Sequence, residues 1–170
     1  VAELALPGPD LGQERKDLLL LRTRADALMR VHRERRTAFY LPPTDELESL
    51  LKLLIELDAN HRRVHRARLA EVQWDRGDDT LFLATALKTF AMDSPDNGPY
   101  DFSMDPRAPR LVIARMLRVF EARQDWKTVV TLLREAVQKG FVGEEAPIHE
   151  PELEHHARRL LSRVTPPGSQ

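Results

Sequence analysis

The spacing of apolar side chains constrains this chain most, because they recur every three or four residues along almost its whole length. That spacing places them on one face of an α-helix, whereas the alternation with a period of two that marks a half-buried strand is almost absent. Clusters of Pro and Gly interrupt the pattern about once per helix length. The sequence therefore predicts an all-α protein of about seven helices.

Length and composition set the domain organisation. The 170 residues, 42% of them apolar, fit a single helical domain spanning 1–170, or one segment of a longer helical-repeat protein. Residues 93–109 hold four prolines and no helical period, which predicts a long irregular loop. Residues 165–170, Thr-Pro-Pro-Gly-Ser-Gln, predict a frayed tail.

Capping residues divide the helical pattern into elements. Thr44 and Asp125 are expected N-caps, the turn at 76–79 is expected to cap a fourth helix, and Gly140 is expected to end the sixth. In the fourth helix we expect Leu83, Leu87 and Phe90 to form the buried stripe. These short turns predict antiparallel helical hairpins.

Composition also excludes several classes of protein. The chain has no cysteine, so it is neither a disulfide scaffold nor a thiolate zinc protein. A formal net charge of −1 argues against a strongly basic nucleic-acid binder, and the longest apolar tract, Leu18 to Leu21, is far too short for a membrane helix. No signal peptide is evident. We expect an intracellular location, in the cytosol or a mitochondrion, and not secretion.

The histidines raise the question of a metal site. His61 and His65 have the four-residue spacing that lets two imidazoles share one ion, and Glu56 or Asp58 lies just upstream. Further donors cluster near the seventh helix: His149, Glu152, Glu154, His155 and His156. This set is the basis of one alternative, a metal-binding helical-bundle enzyme. Four arginines around the first pair disfavour a cation, so the simpler interpretation is surface histidines and no cofactor.

Arginine is the second unusual feature, with 21 residues against five lysines. The third helix has a basic run without any acid from His61 to Ala70, and helix one carries another. Guanidinium groups suit phosphate contacts, so an RNA-binding helical-repeat protein of an organelle or a ribonucleoprotein is the main alternative. The few aromatic side chains, 6% of the sequence, give little support for base stacking.

The hairpin pattern is clearest in residues 125–140, where Val129, Leu133 and Ala136 follow Trp126 at helical spacing. A comparable turn precedes Thr80. Over about residues 61–140 this pattern resembles the tetratricopeptide and pentatricopeptide families of helical-hairpin repeats. The resemblance implies a short α-solenoid of stacked antiparallel hairpins, although the two turns are about 46 residues apart and such repeats are shorter.

No glycine-rich phosphate loop, nucleophile elbow or acid pair on one helix face is evident, so we expect no enzyme. We expect a non-catalytic scaffold or adaptor subunit that binds a protein partner in a larger assembly, without a membrane span. A partner segment would lie against an apolar, arginine-lined face. The residues expected to contact it are basic or aromatic: Arg62, Arg66, Arg68, Tyr100, Phe102, Arg115 and Arg118.

Overall fold

A computed structural model gives the fold and describes residues 11–39, 42–92 and 94–164, with the predicted tail at 165–170 outside these ranges. The described part contains seven α-helices and no strand, which confirms the predicted all-α class. Two single-turn 3₁₀ helices, Ala59–His61 and Pro95–Asn97, lie in the connections. The helices are α1 (Leu11–Phe39), α2 (Asp45–Leu57), α3 (Arg62–Asp75), α4 (Asp79–Phe90), α5 (Arg107–Ala122), α6 (Trp126–Gln138) and α7 (Pro151–Val164).

Three helices begin at the side-chain caps that the sequence predicts. The Thr44 hydroxyl accepts from the Leu47 amide of α2 at 3.3 Å. Asp78 and Asp125 accept from the third residue of α4 and α6 in the same way, at 3.0 and 3.2 Å. Each cap satisfies an amide that has no partner within its helix, which fixes where these helices start.

The helices stack as hairpins whose odd-numbered members run parallel. Contacts join α1 to α2, α2 to α3, α3 to α4 and α5 to α6. The end of α3 lies beside the starts of α2 and α4, because Arg76 pairs with Asp45 and Trp74 packs on Phe82, so α3 is antiparallel to both. Helix α3 also packs on α5, and α5 packs on α7. Arg33 of α1 pairs with Glu71 of α3, which places α1 beside α3 as well. Helices α1, α3, α5 and α7 therefore lie side by side.

Two apolar clusters form the core. The larger one spans α3 to α7, and the smaller one joins α1, α2 and α3 around Met29, Leu51 and Val72. In α4, Leu83 is buried and Phe90 packs on the core as expected, but Leu87 is 51% exposed, while Phe82 and Ala86 are completely buried. The Trp74 ring packs edge-on against Phe82 at 5.0 Å, which turns that face of α4 inward.

The irregular loop lies about two residues earlier than predicted, because α4 ends at Phe90 and α5 begins at Arg107 rather than near Pro109. Phe102 is buried, and its ring lies 5.2 Å from Tyr100 and 5.8 Å from Phe90 at the end of α4. Phe141, just after α6, lies 6.1 Å from Phe102. The aromatic residues thus fix the loop to the ends of two helices.

A buried network of ion pairs joins the parallel helices. The Glu71 carboxylate is completely buried and accepts from Arg33 at 2.7 and 2.9 Å and from Arg36 at 2.9 Å. Asp75, one turn further along α3, accepts from Arg36 at 2.6 Å and lies 2.7 Å from the His32 imidazole. Charged groups that lose water need such partners, since an unpaired buried charge is very costly.

We expect Glu71→Ala to lower the free energy of unfolding by about 3–5 kcal/mol, because two largely buried guanidinium groups, those of Arg33 and Arg36, would each lose one of their carboxylate acceptors. Urea unfolding measures the change. Glu46→Ala is the matched control, since Glu46 and its partner Arg24 are both more than half exposed, and about 1 kcal/mol or less is expected there. Equal losses in the two variants would contradict the role given to Glu71.

Acid should destabilise the fold through the same carboxylates. Burial alone would raise the pKa of Glu71, of Asp75 and of Asp58, but hydrogen bonds and nearby charge from Arg33, His32 and Arg22, respectively, outweigh burial and lower each pKa. A lowered folded-state pKa contributes stability above the unfolded-state pKa, about 4, and loses it as the pH falls through the folded-state value.

We therefore expect the free energy of unfolding to fall steeply as the pH is lowered below about 4, the ordinary carboxyl pKa. Urea unfolding at half-unit pH steps from 6 to 2 measures this. Glu71→Gln should show a shallower fall, because it lacks one of the responsible groups. An unchanged slope in Glu71→Gln would contradict the assignment.

Candidate partner-binding site

The basic run of α3 lies mostly inside the protein, which corrects its predicted placement on an open surface. Arg66 is buried and donates to the side chain of Asn97 in the loop. Arg62 donates to the Ile55 carbonyl at 2.6 Å and to the Asp96 carbonyl. Arg63 donates to the carbonyl of Thr89 at the end of α4 at 2.7 Å and to that of Ala91 at 2.9 Å. These guanidinium groups fasten the 91–106 segment to α3.

Arg68 and Arg115 are also buried, with side chains about 5% exposed. Arg68 donates to Asp105 at 2.7 Å and to Asp26 at 2.8 Å. Arg115 lies 3.7 Å from Asp75 and above the Trp74 ring at 5.6 Å. Their charges are directed to partners within the chain, because the carboxylates of the network need counter-ions.

The two aromatic residues predicted as contacts, Tyr100 and Phe102, belong to the cluster that fixes the loop, and Phe102 is 7% exposed. Arg118 is different, because 56% of its side chain is exposed. Among the seven residues predicted as partner contacts, Arg118 therefore offers the most evident surface to a partner.

His61, at the end of the first 3₁₀ helix, and His65 of α3 both contact the carboxylate of Asp58, but an arginine binds the same carboxylate. Asp58 lies 3.2 Å from His61 Nδ1 and 2.9 Å from His65 Nε2, while Arg22 donates to both Asp58 oxygens at 2.7 and 2.8 Å. Within the described residues, no three His, Asp or Glu side chains are placed to hold a metal ion. The expectation of surface histidines is wrong for His65 and His156, which are buried.

An open cleft of about 690 Å³ lies between α5, the start of α6 and α7. Charged side chains line the cleft together with the indole of Trp126, which is 38% exposed. Trp126 reaches the cleft because it is the first residue of α6, directly after the Asp125 cap. The charged residues that line it are Arg118, Glu121, Glu152, Arg159 and Arg163. We call this feature the α5–α7 cleft.

Positive charge exceeds negative charge in the α5–α7 cleft. Glu121 accepts from Arg159 at 2.5 and 2.6 Å and from Arg163 at 3.1 Å, so two arginines share one carboxylate. Arg118 lies 3.7 Å from Glu152, beyond hydrogen-bonding distance, and the buried Arg115 faces that same carboxylate at 3.9 Å. The cleft is thus suited to an additional anionic group.

His156 contacts Arg159 in the wall of the α5–α7 cleft. Its Nδ1 lies 2.9 Å from Arg159 Nη2 and must accept that hydrogen bond, because a guanidinium only donates. Burial and the charge of Arg159 lower the pKa of His156, against the opposing effect of Glu121. The imidazole is therefore neutral at pH 7, and it holds Arg159 in place rather than adding charge.

An unusual backbone conformation adjoins the cleft at Gln124, which has a φ of 56°. The same helix ending closes α3 and α6, but there the left-handed residue is Gly77 or Gly140, which adopts this conformation without strain. In all three endings the following amide donates back to the carbonyl five residues earlier, here Asp125 to Phe120 at 2.9 Å. Gln124 is the one of the three whose side chain lines a cleft.

Sequence reasoning missed most of the cleft. Arg159 and Arg163 are four residues apart and so share a helix face, which the stripe of Leu153, Ala157 and Leu160 leaves on the outside of α7. That spacing could have identified the two arginines as an exposed basic pair on α7. The partner of both arginines, Glu121, lies on another helix, and the sequence contains no sign of that proximity.

The comparisons with known proteins add no relative to this description. No family model, no curated protein and no solved structure matches the chain. Among the described residues, no helix combines the length and the apolarity that crossing a membrane requires.

We expect Gln124→Gly to raise the free energy of unfolding by about 1 kcal/mol, because it relieves a left-handed residue that carries a Cβ atom. The reciprocal change, Gly77→Gln, should lower stability by a similar amount. Thermal and urea unfolding of both variants measure this. A loss of stability in Gln124→Gly would show that the side chain stabilises the turn.

Proposed function

We propose that this chain is a non-catalytic scaffold or adaptor subunit that binds a protein partner at the α5–α7 cleft. The single observation that carries the proposal is the exposure of Arg118, Arg163 and Trp126 around one cleft. Arginine and tryptophan are the side chains most enriched where binding energy concentrates at protein interfaces.

The stacked-hairpin fold supports this function because it presents a rigid surface built from several parallel helices. Helix α5 contacts α3, α4, α6 and α7, so the residues that it presents have a fixed position. A preorganised surface loses little conformational entropy when a partner binds. The resemblance to helical-hairpin repeat families gives the same expectation.

The test is capture of a partner from an extract of the source cells by the immobilised chain. Arg118→Glu combined with Arg163→Glu should abolish capture of a protein that the wild-type chain retains, because both residues would then repel the bound anionic group. Arg30→Glu, an exposed arginine of α1, is the matched control and should retain that protein.

Two results would contradict the proposal. One is capture of the same proteins by the double variant and the wild-type chain. The other is loss of the captured material after ribonuclease treatment, which would indicate an RNA-binding protein. Circular dichroism should be unchanged in the variants, since both substituted side chains are more than half exposed.

A further inference from the structure

We infer that the α5–α7 cleft recognises an acidic peptide segment, with an Asp or Glu carboxylate on Arg118 and a neighbouring apolar side chain against Trp126. This inference deepens the proposed function and rests on it. It specifies the chemistry of the partner, which is a protein segment with a carboxylate next to an apolar side chain.

The position of the ligand carboxylate follows from the contacts and the exposure of Arg118. Its Nη1 lies 3.7 Å from Glu152, too far for a hydrogen bond, and its Cζ lies 5.5 Å from the Trp74 ring centroid. The ring contact orients the guanidinium plane, while the N–H donors face a cleft in which more than half of the side chain is exposed. An arginine fork of this kind matches a carboxylate in geometry and charge.

A second donor group is available on α7. Arg163 contributes one of its terminal nitrogens to Glu121 at 3.1 Å, and 59% of its side chain is exposed. Arg159, in contrast, is held by both oxygens of Glu121 and by His156, so it shapes the cleft wall. The ligand carboxylate therefore meets Arg118 first, and Arg163 adds long-range attraction.

The apolar position follows from Trp126 and its neighbours. The indole is 38% exposed at the start of α6, and Ala122 and Gln124 line the cleft beside it. A leucine or an aromatic side chain next to the carboxylate would cover the ring and remove apolar surface from water. The side-chain amide of Gln124 can donate a hydrogen bond to the backbone of the bound peptide or accept one from it. A role in binding would explain why a strained residue is retained at this position.

The same residues favour a peptide over a nucleic acid. Glu121 and Glu152 line the cleft, so a polyanion that followed it would meet two fixed negative charges. The single indole of Trp126, 38% exposed, also provides only one stacking position, whereas proteins that bind single-stranded nucleic acids use successive aromatic side chains. A short segment with one or two carboxylates satisfies the excess positive charge without this repulsion.

The experiment is selection of a phage-displayed library of random twelve-residue peptides on the immobilised wild-type chain. Enriched sequences should carry Asp or Glu beside Leu or an aromatic residue. The most enriched peptide, labelled with fluorescein, should bind in solution by fluorescence anisotropy. Arg118→Gln should weaken its binding at least tenfold, and Gln124→Gly should weaken it severalfold although it stabilises the fold.

Arg158→Gln is the matched control, because Arg158 is exposed on α7 but lines a different surface, and it should bind within twofold of wild type. Enrichment without acidic residues, absence of any enriched peptide, or equal binding by Arg118→Gln would overturn the inference. So would tighter binding of a twenty-nucleotide oligouridine than of the best peptide.

The two proposals fail in different ways. If the immobilised chain captures a cellular protein that the charge-reversed double variant does not, but the selected peptides lack acidic residues, only the inferred ligand chemistry is wrong. If the double variant captures the same proteins as the wild type, the cleft is not the binding site and both proposals fail.

Discussion

The structure depends on a carboxylate that has no access to water. Glu71 lies in the second half of α3, completely buried, and accepts hydrogen bonds from Arg33 and Arg36 of α1. An ionised group in that position is tolerated only when guanidinium groups surround it. Helix α1 is held beside α3 both by these charges and by an apolar cluster that contains Ala25 and Met29 of α1.

This constraint explains how the chain uses so much arginine with a net charge near zero. In α3, and at Arg115 of α5, arginines neutralise buried carboxylates or bind backbone carbonyls, and little of their charge reaches the surface. The balance changes at α5 and α7, where Glu121 and Glu152 each face two arginines. The α5–α7 cleft therefore has more positive than negative side chains, beside an exposed tryptophan.

Helical spacing and capping residues predicted the fold class, the seven helices and the starts of α2 and α6, because these depend on local sequence. The candidate site depended on long-range pairing and was largely unpredictable. Arg68 and Arg118 are both arginines within amphipathic helices. Arg68 is buried and paired with Asp105, from the segment before α5, whereas Arg118 is exposed. Burial of a charge depends on which distant carboxylate reaches it, and hydrophobic periodicity contains no such information.

The most direct measurement is a double-mutant cycle on Arg33 and Glu71, with urea unfolding of Arg33→Ala, Glu71→Ala and the double variant. If buried charge pairing holds α1 on α3, the coupling free energy should be about 2 kcal/mol or more, within the range for contacting residues in one network. It should also change little in 1 M salt, because buried pairs are weakly screened. Additive effects within about 0.5 kcal/mol would contradict this account.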